Sequence, residues 1–124
     1  MSEFTPTNAV VWFEIPVSDL DRGTRFYEAV LQTKLSEQDM GMGPIRIFPV
    51  SNHSNPAGHL FQTDQKSDSQ MVVHLDTPGK LEDTLTRVRE AGGEVVSPIV
   101  PLPAGQFAYC NDPDGNRVGF FAAA

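Results

Sequence analysis

Glu14 and His74 are the two residues whose type and setting could do chemistry. Glu14 interrupts an apolar run, Val10 to Val17, and burying a carboxylate costs several kcal/mol unless it is paired. His74 sits in a second apolar run, Met71 to Asp76. A carboxylate and an imidazole across a small cavity form an acid/base pair that can take up and return a proton. The competing reading is a hydrogen bond that merely fills the groove of a binding protein. Both readings stay open. Metal binding by Glu14, His74 and a third ligand such as His59 is the least favoured, because two ligands are too few for a tight site. No cofactor is expected.

Trp12 lies two residues before Glu14 and reads as an aromatic plate. With Phe121, Phe48, Val72 and Tyr109 it makes the candidate ligand-binding set, since small-molecule pockets are mostly apolar with a few placed polar groups. Core packing is the alternative for each. Alternation does not fix the faces of Arg46, Phe48, Phe107 and Tyr109. Arg46 in the groove would suit an anionic ligand, and a solvated edge is the favoured reading. His53 and His59 flank a Pro/Gly loop and read as loop histidines. Cys110 has no basic sequence neighbour and reads as inert. Asp112 and Asp114 read as turn formers rather than metal ligands. There is no glycine-rich phosphate loop and no G-x-S-x-G nucleophile motif.

These groups need a scaffold, and the composition bounds it. The 124 residues suffice for a single domain that buries a core without staples. Nine basic against sixteen acidic residues give a net charge of −7. That argues against nucleic acid or an anionic membrane as partner, because both are held by Lys/Arg patches. One cysteine excludes a disulfide framework within the chain and fits the reducing cytoplasm. No apolar run approaches the ~20 residues of a membrane span, and Met1 to Asn8 carries no signal-peptide pattern.

The elements follow from periodicity. Val10–Val17 reads as a strand with one wholly apolar parity, Val11, Phe13, Ile15 and Val17. Ser18 with Asp21 predicts a helix N-cap, and Leu20, Phe26, Tyr27, Val30 and Leu31 space the helix. Gly23 is its weak point. Strands are expected over 34–40, 44–50 and 58–63, with a loop over Ser51–Pro56 and a second polar loop over Asp64–Ser69. The pattern then repeats: a strand to Asp76, Thr77 as N-cap with Pro78 as first helical residue, a helix through Leu81, Leu85 and Val88, and Gly92–Gly93 ending it. Strands near 94–100, 105–111 and 117–122 follow, with N-D-P-D-G (Asn111 to Gly115) turning the last hairpin. The order βαβββ occurs twice, with an offset of 60 residues before the helices: Phe13 on Val73, Glu14 on His74. Modules of about 9–63 and 70–122 would form one domain over 1–124, with a groove between their free faces.

The run F-E-I-P-V-S-D-L-D-R (Phe13 to Arg22) with F-Y-E (Phe26 to Glu28) resembles the first module of the vicinal oxygen chelate superfamily. E-A-G-G-E-V (Glu90 to Val95) and F-A-Y-C-N-D-P-D-G-N-R-V-G-F (Phe107 to Phe120) resemble its second. That superfamily includes glyoxalase I, extradiol dioxygenases and bleomycin-resistance proteins. The resemblance implies an α+β fold of two paired βαβββ modules forming a half-open barrel, usually in a homodimer. It also implies metal-ligand positions at Trp12, Val72 and Gly119, with a fourth among His59 to Gln62. The first three cannot bind a metal, so the usual metal site is expected to be absent. The expectation is a cytoplasmic, homodimeric protein that binds a small, partly aromatic organic molecule. The alternative is a glyoxalase-like lyase or isomerase using Glu14 and His74, with at most a weakly held divalent metal.

Overall fold

The computed structural model describes residues 3–64 and 70–124; apart from Asp64, the loop expected over Asp64–Ser69 lies outside the described residues. Chain contacts separate two compact units, Trp12–Met71 and Val72–Ala124, the second including the N-terminal segment up to Val11. The elements of the first module are β1 (Val10–Val17), α1 (Leu20–Leu31), β2 (Ser36–Asp39), β3 (Pro44–Ile47) and β4 (Ala57–Gln62). Those of the second are β5 (Val72–Asp76), α2 (Leu81–Glu90), β6 (Glu94–Val95), β7 (Val100–Leu102), β8 (Gly105–Asn111) and β9 (Arg117–Ala123).

In the first module the strand order is β2-β3-β4-β1, with β1 parallel to β4 and the other pairs antiparallel. Helix α1 is capped by Asp19, not by Ser18. The Asp19 carboxylate accepts the Arg22 N–H at 2.9 Å, while the Ser18 hydroxyl accepts from the Arg22 guanidinium at 2.7 Å. A carboxylate at this end also meets the positive pole of the helix dipole, and the Arg22 N–H holds the Asp19 carboxyl below its ordinary value. The apolar parity of β1 faces the helix: Phe13 meets Phe48, which in turn meets Tyr27 of α1. Glycine at position 23 lets α1 lie close on β1, since a Cβ there would stand 2.9 Å from the Val17 side chain. Arg46 lies on neither a groove nor a free edge. Its guanidinium bonds Asp21, Glu37 and Thr24 at 2.9–3.1 Å, strapping β3 and β2 to α1.

In the second module the order is β5-β9-β8-β6, with β7 also pairing β8; β5 and β9 are parallel. Helix α2 packs Leu81 and Leu85 on Ala108, Cys110 and Ala122. It starts at Leu81 rather than at Pro78, because Gly79 adopts φ +64, a left-handed conformation that no helix can pass through. Thr77 is thereby released from capping, and both its N–H and its hydroxyl donate to the Phe121 carbonyl. The helix ends as expected, with the Gly93 N–H closing on the Val88 carbonyl at 2.9 Å. The strand expected over 94–100 is split at Ser97–Pro98. Proline offers no N–H to the ladder, and the Tyr109 N–H is satisfied by the Ser97 hydroxyl at 2.8 Å instead. Asp112 is the turn former of the last hairpin. It accepts from the Asp114 and Asn116 backbones and from the Asn116 side chain, which holds its carboxyl below the ordinary value.

The internal repeat is visible in the registers. Glu14 pairs with His59 in β1/β4 and His74 pairs with Gly119 in β5/β9, so both partners are offset by the same 60 residues. Among the described residues no helix is long and apolar enough to cross a membrane.

One local strain gives a stability prediction. Gln32 ends α1 at φ 53, ψ 51, while the Thr33 N–H bonds the Glu28 carbonyl. A side chain in this region costs about 1 kcal/mol relative to glycine. Gln32→Gly should raise the urea midpoint by an equivalent amount with an unchanged slope; a lowered midpoint would show that the Gln32 side chain contributes more than the strain costs.

Candidate functional site

In the first module three polar or aromatic side chains converge on the face of the sheet away from α1. Glu14 and His59 are register partners, and Trp12 stands two residues before Glu14 on the same face. The Trp12 indole Nε1–H donates to His59 Nδ1 over 2.8 Å, with the ring centroids 5.8 Å apart. His59 Nε2 lies 3.9 Å from Glu14 Oε1, an electrostatic contact too long for a direct hydrogen bond. Phe61, next on this face of β4, meets the His59 ring edge-on at 6.2 Å. Glu14 is 8% exposed. Among the described residues no buried side-chain nitrogen or oxygen lacks a hydrogen-bond partner, so the carboxylate is held in a polar setting within an apolar strand.

The second module builds a different cluster at the equivalent place. His74, 4% exposed, lies edge-on to Phe107 at 4.9 Å and tilted against Tyr109 at 5.6 Å. Its ring rests over Gly119, where any Cβ would overlap His74 Nδ1. This settles the faces of Phe107 and Tyr109: they lie with His74, whereas Ala108 and Cys110 face α2. Phe121 is the register partner of both Asp76 and Phe107 and shares that face, and Val72 is buried two residues before His74.

Of the candidate ligand-binding residues, Trp12 therefore joins Glu14, and Tyr109, Phe121 and Val72 share the face of His74. Phe48 does not join either set: it packs at 5.4 Å on Phe13 and 5.6 Å on Tyr27, on the helix side. Glu14 and His74 occupy equivalent positions, each with the neighbours of its own module. The residue that sequence reasoning underrated is His59, read as a loop histidine and at best a third metal ligand. The available signal was the repeat itself, which sets residue 59 against residue 119. Cys110 is fully buried, and burial pushes its thiol up, away from reactivity.

The metal of the resembling enzymes does not fit these residues. The Trp12 ring nitrogen carries the hydrogen it gives to His59, Val72 offers only carbon, and the space of a Gly119 side chain is filled by His74. Among the described residues no group of three His, Cys, Asp or Glu comes together to hold a metal ion.

Residues 9–120 match the model of the Glyoxalase/Bleomycin resistance protein/Dioxygenase superfamily. The chain belongs to that superfamily, and its α+β fold of βαβββ modules is the one the sequence resemblance implied. Among solved structures, a superfamily member from Vibrio splendidus 12B01 is similar at 15% identity and TM-score 0.66, covering 93% of this chain and 99% of its own. Methylmalonyl-CoA epimerase from Mycobacterium tuberculosis is similar at 17% identity and TM-score 0.65, covering 98% and 93%. The Streptomyces coelicolor epimerase is similar at 12% identity and TM-score 0.65, covering 94% and 97%. Identities this low carry the fold alone. No curated protein sequence matches the chain.

The donor set predicts the metal content. Elemental analysis of the purified, untagged protein should find well under one transition metal per chain. One zinc, nickel or iron per chain that survives chelator would overturn this.

Proposed function

We propose that this protein binds a small, partly aromatic organic molecule without the metal of its enzymatic relatives, and that Glu14 contacts that molecule. The observation that carries the reading is the Glu14 carboxylate, buried in an apolar strand beside His59 and Trp12. Glutamine or leucine would fill the space without the desolvation cost of a charge, so a contact with a ligand explains the residue better than stability does. The aromatic rings of Phe107 and Tyr109 around His74 support His74, Tyr109, Phe121 and Val72 as further ligand-binding residues in the same reading.

The second reading is a glyoxalase-like lyase or isomerase in which Glu14 and His74 act as base and acid. It is favoured by the same buried carboxylate. Cytoplasmic residence belongs to either reading, with the buried Cys110 thiol suiting a reducing compartment. So does a homodimer. Helix α1 leaves Phe26, Val30 and Leu31 exposed at 59%, 61% and 54%, an apolar surface that a second copy would cover.

Thermal melts with a panel of aromatic and carboxylate compounds test the site. A ligand at a hundred times its Kd adds about 2.7 kcal/mol to stability, a readable shift. Glu14→Gln should melt at or above the wild type and lose that shift, and His74→Ala should weaken it. A Glu14→Gln protein that melts several degrees lower with its ligand shifts intact would make Glu14 a structural residue. Deuterium uptake from heavy water into an enolisable CoA thioester, abolished in Glu14→Gln, would decide for the second reading. Light scattering at micromolar concentration should give twice the 13.6 kDa of one chain; a monomer mass would remove the dimer.

A further inference from the structure

The bond between Trp12 and His59 has a direction, and the direction has a consequence. An indole nitrogen has a hydrogen to give and no lone pair to offer. Across the 2.8 Å contact His59 Nδ1 is therefore the acceptor and carries no hydrogen. A neutral imidazole bears one N–H, so that hydrogen sits on Nε2, the nitrogen 3.9 Å from Glu14 Oε1. The other tautomer would set two N–H groups against each other at Trp12 and turn the Nε2 lone pair toward the carboxylate. Protonating both nitrogens would also forfeit the indole bond.

We propose that Trp12 is a positioning residue that locks His59 as the Nε2–H tautomer, with its hydrogen on the side of Glu14. A molecule bound at this cluster then meets a carboxylate beside an imidazole of fixed tautomer, and a group that donates a hydrogen bond, such as a hydroxyl or an amide N–H, is the one that complements the carboxylate. This assigns Trp12 a role through its nitrogen, besides that of an aromatic plate. It rests on the ligand-site reading for its use, but the lock is a property of the free protein and is measured without a ligand.

Long-range proton–nitrogen NMR of the 15N-labelled chain reads the tautomer. In the wild type at neutral pH, His59 Nδ1 should resonate as an unprotonated nitrogen and Nε2 as a protonated one. Trp12→Phe keeps an aromatic ring and removes the donor, and the two nitrogen signals should move toward each other as tautomers mix. The wild-type indole N–H of Trp12 should be protected from solvent exchange and lose that protection in His59→Ala, which reads the bond even where Trp12→Phe folds poorly. A protonated Nδ1 in the wild type, a Trp12→Phe spectrum with the wild-type tautomer, or an indole exchange rate unmoved by His59→Ala each overturns the lock. A panel without binders, alongside the expected spectra, would remove the ligand reading and leave the lock standing.

Discussion

Register partners in a parallel strand pair project from the same face of the sheet. The pairing of β1 with β4 therefore decides which side chains can meet. It sets Glu14 beside His59 and leaves Phe13 beside Gly58, where a Cβ would overlap the Phe13 ring. A slip of one residue would exchange the faces of β1. Glu14 would then lie under α1 among Phe48 and Tyr27, and Phe13 would replace it beside His59. The Phe13 ring over Gly58 and the Arg46 strap to α1 both oppose such a slip, so the packing on the helix side holds the chemistry on the other.

The second module uses the same register with the roles of the strands exchanged. In β1/β4 the imidazole comes from the last strand and lies against a carboxylate. In β5/β9 it comes from the first strand and lies over a glycine. The step from a carboxylate-and-histidine pair to a histidine-and-glycine pair changes what surrounds the ring. His59 has polar neighbours at both nitrogens, and His74 has the rings of Phe107 and Tyr109 against it. One repeated frame thus supports two chemically different clusters on one fold.

The sequence disclosed the modules because β1 and the helices have unambiguous periods. Where both parities of a strand are apolar, as in β8, periodicity is silent, and only the packing of Ala108 and Cys110 under α2 shows that Phe107 and Tyr109 belong to the other face. Thr77 and Pro78 satisfy the composition rules for a helix start, and the handedness at Gly79 overrides them. The split of the strand over 94–100 has a similar cause: a proline removes one donor, and a serine hydroxyl repairs the ladder from the side. His59 reads as a loop histidine or a metal ligand because a histidine next to a Pro/Gly loop has the composition of a surface residue. Its importance lies in a partner 47 positions away.

That separation also explains how a buried carboxylate can be tolerated at Glu14. Desolvation opposes ionisation, and the usual answers are a cation, a metal or several N–H donors. The family's metal is unsuited to these side chains, and the His59 imidazole and the Trp12 indole are among the polar groups beside the carboxylate. An imidazole whose N–H end faces the carboxylate presents the favourable pole of its dipole, and the Trp12 indole at its far end fixes that orientation. The hydrogen bond from Trp12 to His59 is electrostatically stronger in a low-dielectric setting than in water. In the proposed lock Trp12 thus acts on the carboxylate through the orientation of the His59 dipole rather than by touching it.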